Sequence, residues 1–129
     1  MSHTLHQKSQ MTDSRHIATA AAAVGGEVSE ATSARFYDKS EHEGVVVQLP
    51  GWRYPVIVKA GGELAFDTYR GRWGDEAVLG TLRQEYAFAV AKDVYETEYD
   101  GCSVEHMGYN DDGELQFEVH REEQQAWSY

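Results

Sequence analysis

Residues 44–68 read GVVVQLPGWRYPVIVKAGGELAFDT. This stretch holds three short apolar runs, separated by the turn-forming pairs Pro50-Gly51 and Gly61-Gly62. β-Branched residues dominate the first two runs, which is typical of strands, and Pro55 is tolerated near the start of a strand or on an edge. The pattern predicts a meander of three strands over residues 44–49, 54–60 and 63–68.

The segments on either side of the meander have helical periodicity. Asp13 is a candidate N-cap for a short helix whose apolar face ends at Gly25-Gly26. Residues 76–95 place apolar side chains on one face at a period of 3.6 residues, with polar side chains off that face. We therefore expect a short helix before the meander and a long helix after it. The polar residues 1–10 are expected to form an edge strand or a loose arm.

The last part of the chain predicts a β-hairpin. Two runs of alternating residues flank Asn110-Asp111-Asp112-Gly113, a strong turn signal. A loop of two or four residues keeps the same faces together, so His106 is expected on the inner face as a core histidine. Glu105 is expected on the outer face, opposite Glu118 or His120. The expected inner face consists of Cys102, Val104, His106, Leu115, Phe117 and Val119.

These elements predict an α+β fold, in which two helices pack on one face of an antiparallel sheet and a β-hairpin lies at the C-terminal end. A chain of 129 residues is close to the commonest domain size. We expect a single domain over residues 1–121 and a tail over residues 122–129.

The charge of the chain is concentrated at one end. Residues 93–129 hold half of the 22 acidic residues beside a single basic residue, Arg121, while the whole chain has a net charge of −11. A one-sided field of this kind bears on partners rather than on fold. The first hypothesis is a non-enzymatic protein that binds a partner protein through this acidic hairpin, for example as an inhibitor whose carboxylates imitate DNA phosphates. The candidate partner-binding residues are Glu105, Asp111, Asp112, Glu114 and Glu118.

A second candidate site lies in the loops of the middle region. Trp52-Arg53-Tyr54 and residues 69–74 (YRGRWG) interleave aromatic residues with arginines, which are common in binding hot spots. The alternative hypothesis is a binder or hydrolase of a phosphate-bearing or nucleotide ligand. Its ligand-binding residues would be Arg53, Arg70, Arg72 and Trp73, with a carboxylate such as Asp67 or Asp75 near the ligand. An equally weighted interpretation is that Trp52 and Trp73 fill the open end of the sheet while the arginines offset nearby carboxylates.

A third hypothesis is a homo-oligomeric scaffold with Trp52, Trp73 and Trp127 at its interfaces.

Several chemistries find no support in the sequence. Cys102 and His106, four residues apart on one strand, have backbones about 13 Å apart, too far for a nucleophile and its base. Paired Cys-x-x-Cys motifs, His-Glu-x-x-His and the phosphate-binding loop motifs are absent. We expect no catalytic residues, no metal and no cofactor.

The single cysteine fits a reducing compartment, and neither a membrane span nor a signal peptide is recognised, so a cytoplasmic protein is expected. An isoelectric point near 4.8 argues against direct binding of nucleic acid or anionic lipid.

The order of short motifs along the chain resembles a protein family. The motifs are Met1-Ser2-His3, the helix that ends at Gly25-Gly26, Phe66-Asp67 with Trp73-Gly74, Gln84-Glu85-Tyr86-Ala87, Gly101, Asp112-Gly113 and Val119-His120-Arg121. In this order they resemble the family first noted as hypothetical chloroplast open reading frame thirty-five, whose members occur in plastids, cyanobacteria and bacteriophages. The resemblance covers residues 1–121, with Thr4 in place of the usual aromatic residue and a poor match over residues 31–43. It implies an α+β fold and a cytoplasmic or phage-encoded setting. It carries over no catalytic residue. Phage members are similar to small accessory proteins encoded near ATPases, which implies a partner-binding role.

Overall fold

The structure is a computed structural model that describes residues 4–122. These residues belong to two compact units, which meet in the sequence between Tyr86 and Ala87. The prediction of one domain over residues 1–121 stays a prediction. Of the predicted tail, residues 123–129 lie outside the described part of the chain, as do Trp127 and the motif at residues 1–3.

The described residues contain two helices and nine strands, joined by turns and loops. The first unit holds β1 (Leu5–Gln7), α1 (Ser14–Ala23), β2 (Glu27–Val28), β3 (Ser33–Arg35), β4 (Glu41–Glu43), β5 (Val45–Gln48), β6 (Val56–Val58), β7 (Leu64–Phe66) and the start of α2 (Glu76–Glu98). The second unit holds the rest of α2, β8 (Cys102–Tyr109) and β9 (Leu115–Arg121). The predicted α+β class, with its antiparallel sheet and its C-terminal hairpin, is confirmed.

The main sheet has five strands in the order β1-β7-β6-β5-β2, and every pair is antiparallel. Its centre is the predicted meander: Val46 pairs with Ile57, and Ile57 pairs with Ala65. These three residues form a buried cluster with Phe36. β1 lies at one edge of the sheet, which confirms the edge-strand alternative for the N-terminal segment.

Helix α1 begins and ends as its sequence predicts. The Asp13 carboxylate accepts a hydrogen bond from the Arg15 backbone N–H at 2.9 Å, and Gly25 adopts a left-handed conformation just after the helix. Ile17, Ala20 and Ala21 are buried, and α1 packs against β2 and β5. The small side chains therefore let the helix lie close to the sheet.

In the first unit, helix α2 is tied to the start of α1 by one hydroxyl group. The Tyr86 Oη accepts hydrogen bonds from the backbone N–H groups of Thr12 and Asp13 at 3.1 and 3.0 Å. Leu79, Leu82 and Tyr86 are buried, as the periodicity of residues 76–95 predicts. The observed helix continues three residues beyond that range, to Glu98.

Strands β2, β3 and β4 have no counterpart in the predicted order of elements. Strand β2 has two residues, and β3 and β4 have three residues each and pair only with each other. Their sequences, EV, SAR and EHE, hold few β-branched or aromatic residues, so propensity does not identify them. The turn between β3 and β4 places Phe36 in the core.

The second unit confirms the hairpin and the shared face of Val104, His106, Phe117 and Val119, but it corrects the predicted burial of that face. Glu105 pairs with Glu118, one of the two predicted partners, and a bulge at Met107 interrupts the register. Only Val104 of the predicted inner face is buried. Phe117 and Val119 are 41% and 40% exposed, and His106 is exposed, so the prediction of a core histidine is wrong. The Nδ1 of His106 instead accepts a hydrogen bond from the Gly108 N–H at 3.0 Å, next to the bulge.

Candidate functional site

The two arginine-containing loops converge because of the sheet topology. Strands β5 and β7 are both antiparallel to β6, so they point the same way and end at the same edge of the sheet. The loop after β5 carries Arg53, and the loop after β7 carries Trp73. A hydrogen bond of 2.7 Å from the Arg53 N–H to the Trp73 carbonyl joins the two loops. The convergence that the sequence left open is thus a feature of the fold.

Trp73 is the centre of a group of rings. Its indole is stacked on Tyr69 at 4.6 Å between centroids, and Tyr37 and Tyr54 contact it at 5.2 and 5.4 Å in tilted arrangements. These residues, together with Arg53 and Arg72, are called the arginine–aromatic cluster here. Trp73 is half-buried. Three different loops therefore contribute side chains to one surface.

The arginines of this surface lie against rings rather than against carboxylates. The Arg53 guanidinium carbon is 5.2 Å from the Trp73 ring centroid, and that of Arg72 is 5.4 Å from the Tyr69 centroid. Within residues 4–122, Arg53, Arg70 and Arg72 form no ion pair. The interpretation that they offset nearby carboxylates therefore finds no support among these residues. A guanidinium that lies over a ring keeps its N–H donors available to an anion.

The turn that presents Arg70 is strained. Tyr69 and Arg70 both have positive φ, 45° and 56°, and Gly71 follows with 89°. Left-handed conformations of non-glycine residues cost about 1 kcal/mol or more each, and they cluster at functional sites. Hydrogen bonds to the Thr68 carbonyl from Gly71 and Trp73, at 3.0 and 2.9 Å, hold the turn closed. Arg70 is exposed at its tip, although no ring contact joins it to the cluster.

Two buried polar atoms next to this turn lack partners. Asp67 is 1% exposed; one carboxylate oxygen accepts a hydrogen bond from the Tyr69 N–H at 3.0 Å, and the other, Oδ2, has no hydrogen bond in the structure. The Nε1 of Trp52, which is 5% exposed, is also without an acceptor. An unsatisfied buried group costs about 1–3 kcal/mol, and such exceptions require a physical reason. Of the two predicted carboxylates, Asp75 instead caps α2 by accepting the Ala77 N–H at 2.9 Å.

Tyr37 is the member of the cluster that sequence reasoning missed. It lies in the turn between β3 and β4, where the Phe36 N–H donates to the Ser40 carbonyl at 3.0 Å and Lys39 has a φ of 68°. Phe36 is 2% exposed and Tyr37 is 56% exposed. The phenylalanine therefore anchors the turn in the core while the tyrosine projects outward. A short aromatic pair in a region without strand propensity was the only signal in the sequence.

A polar network lies beside this turn, around the carboxylate of Asp38. The hydroxyl and the N–H of Ser40 and the hydroxyl of Thr4 donate to it, and these hydrogen bonds hold the pKa of Asp38 well below its usual value. Nε2 of His42 lies 3.0 Å from the Ser40 hydroxyl oxygen. Although serine, histidine and aspartate occur together, the carboxylate contacts the serine, and an acceptor so strongly stabilised as the anion is a poor base. The network stabilises the turn that carries Tyr37.

The acidic candidates of the hairpin lie in two places. Nε2 of His120 is 3.1 Å from a carboxylate oxygen of Glu105 and 3.5 Å from one of Glu118. Glu114 accepts a hydrogen bond from the Asn110 side chain at 3.1 Å, while Asp111 and Asp112 are exposed in the turn. The two glutamates with His120 form one small cluster on a face of the hairpin, and the turn residues form another group.

Comparisons with protein-family models, curated proteins and solved structures give no match. The resemblance to the chloroplast open reading frame family therefore stays a prediction. In residues 4–122, histidine, cysteine, aspartate and glutamate side chains do not gather into a group of three or more that could hold a metal ion. Neither of the helices in that part of the chain combines the length and apolar character that crossing a membrane requires.

Proposed function

We propose that this protein is a binding protein that takes a phosphate-bearing ligand at the arginine–aromatic cluster. One observation supports the proposal above the others: Arg53 and Arg72 are held against the rings of Trp73 and Tyr69 and form no ion pair within residues 4–122. The rings thus position the two guanidinium groups, and no carboxylate of residues 4–122 neutralises them. Arg70, exposed on the same strained turn as Arg72, adds a third positive charge.

The physical reason for a phosphate-bearing ligand is the geometry of the guanidinium. Its planar set of donors binds two oxygens of a phosphate at once, and a charge-assisted hydrogen bond is about twice as strong as a neutral one. Because the guanidinium groups lie on rings, less side-chain entropy is lost when the ligand binds. The chain contributes position and charge, and the proposal requires no catalytic residue.

The test is isothermal titration of the protein with tripolyphosphate, the simplest probe that carries only phosphate groups. Changing both Arg53 and Arg72 to Gln should weaken binding at least tenfold, because each charge-assisted hydrogen bond contributes about 1.5–3 kcal/mol. Arg35→Gln is the matched control, since Arg35 is exposed and pairs with Glu41 at 3.5 Å. Equal affinity in the double variant and in the control would refute the proposal.

A second candidate function, binding of a partner protein by the acidic hairpin, is favoured by a different observation. Glu105 and Glu118 face each other across β8 and β9, and both are exposed. Like charges that face each other across strands are unfavourable; His120 lies 3.1 and 3.5 Å from these two carboxylates, and a partner that brings positive charge would stabilise them further. The proposed partner presents a basic cleft, and its binding is sensitive to salt.

This second candidate can be tested by affinity capture from lysate at low and at high salt. The triple variant Glu105→Gln, Glu114→Gln, Glu118→Gln should lose a partner that the parent protein retains at low salt. The control carries three equivalent changes in the first unit, at the exposed residues Glu27, Glu30 and Glu76. Capture of the same partner by both variants would count against a role of the hairpin charges.

Four further statements accompany these functions as proposals. We propose that the protein belongs to the chloroplast open reading frame family, on the motifs quoted above, and that it acts in a cytoplasmic or phage-encoded setting. Within that setting, the protein would act through its hairpin as a nucleic-acid-mimicking inhibitor or as an accessory protein of an ATPase. The fourth is association of copies through Trp52 and Trp73, against which the 5% exposure of Trp52 counts.

A further inference from the structure

We infer that the ligand of the arginine–aromatic cluster is a free nucleotide, whose base stacks on Tyr37 while Arg53, Arg70 and Arg72 hold its phosphates. This inference rests on the proposed function and names the class of ligand. It adds an aromatic ring to the phosphate groups that the arginines require. The reasons lie in the exposure, support and position of Tyr37.

Tyr37 is a large aromatic side chain that stays exposed next to a buried one. Its neighbour Phe36 is 2% exposed in the core, whereas Tyr37 is 56% exposed beside the half-buried Trp73. The turn that carries it is held by the backbone hydrogen bond from Phe36 to Ser40 and by the Asp38 network. A large ring held in a fixed position on the surface is a preformed stacking platform, since little freedom is lost when a second ring covers it.

The other rings of the cluster are already engaged with one another. Trp73 has Tyr69 stacked at 4.6 Å with an interplanar angle of 23°, and Arg53 lies over it at 5.2 Å. Arg72 lies over Tyr69 in turn. Tyr37 meets Trp73 at an interplanar angle of 57°, a tilted contact rather than a stack. Tyr37 is therefore the ring whose face is offered to a ligand.

The spacing of ring and charge suits one nucleotide. The centroid of Tyr37 and the guanidinium carbon of Arg53 are 5.2 Å each from the centroid of Trp73, so they lie at most about 10 Å apart. That is the order of the distance between a base and its own phosphates. Arg72, which lies over Tyr69, extends the positive region to the adjoining turn, where a chain of phosphates would continue.

A free nucleotide is favoured over a nucleic acid strand by the charge of the protein. The chain has a net charge of −11, and binding of a polyanion depends on neutralising many phosphates at once. The two arginines of the cluster, with Arg70 on the same turn as Arg72, match the few charges of a nucleoside triphosphate. Stacking on a tyrosine does not distinguish strongly between bases, so ATP is a suitable first probe.

The experiment compares ATP with tripolyphosphate by isothermal titration. In the parent protein, ATP should bind about tenfold or more tightly, because it adds base stacking to the same phosphate contacts. Tyr37→Ala should remove most of this difference, so that its affinity for ATP falls about tenfold more than its affinity for tripolyphosphate; retained tripolyphosphate binding also shows that the variant is folded. Tyr37→Phe should retain the difference. Tyr99→Ala is the matched control, because Tyr99 is 55% exposed and belongs to the second unit.

Failure of the nucleotide inference can be distinguished from failure of the proposed phosphate site. Equal affinity for ATP and tripolyphosphate, or an unchanged ratio in Tyr37→Ala, would overturn the nucleotide inference and leave the proposed phosphate site in place. If neither probe binds, both the inference and the proposed function fall. Tighter binding of an adenine oligonucleotide than of ATP would overturn the assignment to a free nucleotide.

Discussion

Arg53 and Trp73 are joined twice, although 20 residues separate them in the sequence. The Arg53 N–H donates to the Trp73 carbonyl at 2.7 Å, and the Arg53 guanidinium carbon lies 5.2 Å from the centroid of the Trp73 ring. The backbone contact fixes the two loops relative to each other, and the side-chain contact positions a positive charge on the surface. Fold and candidate site thus depend on the same pair of residues.

The foundation of the cluster can be tested at Gly74. A Cβ atom there would contact Cδ2 of the buried Trp52 indole and lie 2.7 and 2.9 Å from Cε2 and Cε3. Gly74→Ala should therefore lower the free energy of unfolding by about 1–3 kcal/mol through overpacking. The measurement is urea unfolding followed by tryptophan fluorescence.

Gly80→Ala is the control for this change. Gly80 lies within α2, and a Cβ atom there would have nothing within 4 Å. This variant should gain up to about 1 kcal/mol, because alanine is the better helix former. If Gly74→Ala proved as stable as the parent protein, the packing of Trp52 described above would be wrong.

The link between the two helices rests on the hydroxyl of Tyr86. Tyr86→Phe leaves the Thr12 and Asp13 N–H groups without their acceptor and should reduce the free energy of unfolding by about 1–2 kcal/mol. Tyr99→Phe, which changes an exposed side chain, should be nearly neutral. Equal unfolding midpoints for the two variants would contradict the role assigned to this hydroxyl.

Acid sensitivity should depend on Asp38. The hydroxyl of Ser40 is the largest of the effects that lower its pKa, followed by the hydroxyl of Thr4. Because the folded-state pKa lies below the usual 3.8, the unfolded state binds more protons in this range. The contribution of Asp38 to stability is therefore present above pH 3.8 and is lost as the pH falls below it. Unfolding midpoints at pH 5 and pH 3 should differ less in Asp38→Asn and in Ser40→Ala than in the parent protein.

His42 should make the stability of the protein depend on pH in a second, higher range. Burial, followed by the positive charges of Lys59 and His6, lowers its pKa from the usual 6.5, while Asp38 and Glu63 act in the opposite direction. The unfolded state therefore takes up a proton first as the pH drops, and stability should decrease below pH 6.5. His42→Gln should flatten the change in unfolding midpoint between pH 7.5 and pH 5.5. The same slope in the variant would show that another group is responsible.

Much of the fold could be predicted because its main elements satisfy local rules. The meander at residues 44–68 combines β-branched runs with turn residues, and Asp13 and the Asn110–Gly113 turn mark the ends of their elements. The antiparallel meander also implies that the loops after β5 and β7 share an edge, so the meeting of Arg53 and Trp73 was within reach of sequence reasoning.

The remaining features depend on tertiary contacts that no local pattern records. Strands β3 and β4 pair only with each other, and Phe36 in their turn belongs to a core assembled from β5, β6 and β7. Tyr37 reaches the cluster only because Phe36 anchors that turn. In the second unit, Val104 and His106 pair with Val119 and Phe117 on one face, as the alternation predicts, and the bulge at Met107 lies beyond these pairs. The alternation does not record that Phe117 and Val119 stay exposed, because cover for a face comes from tertiary contacts.

The measurement that tests the central claim most directly is a titration of isotope-labelled protein with tripolyphosphate, followed by amide and indole N–H chemical shifts in NMR spectra. We predict that the largest changes fall on Arg53, on residues 69–73 and on the indole of Trp73. Residues of β8 and β9 should change little. Absence of shifts at the cluster, or larger shifts elsewhere in the chain, would contradict the assignment of the phosphate site to these arginines.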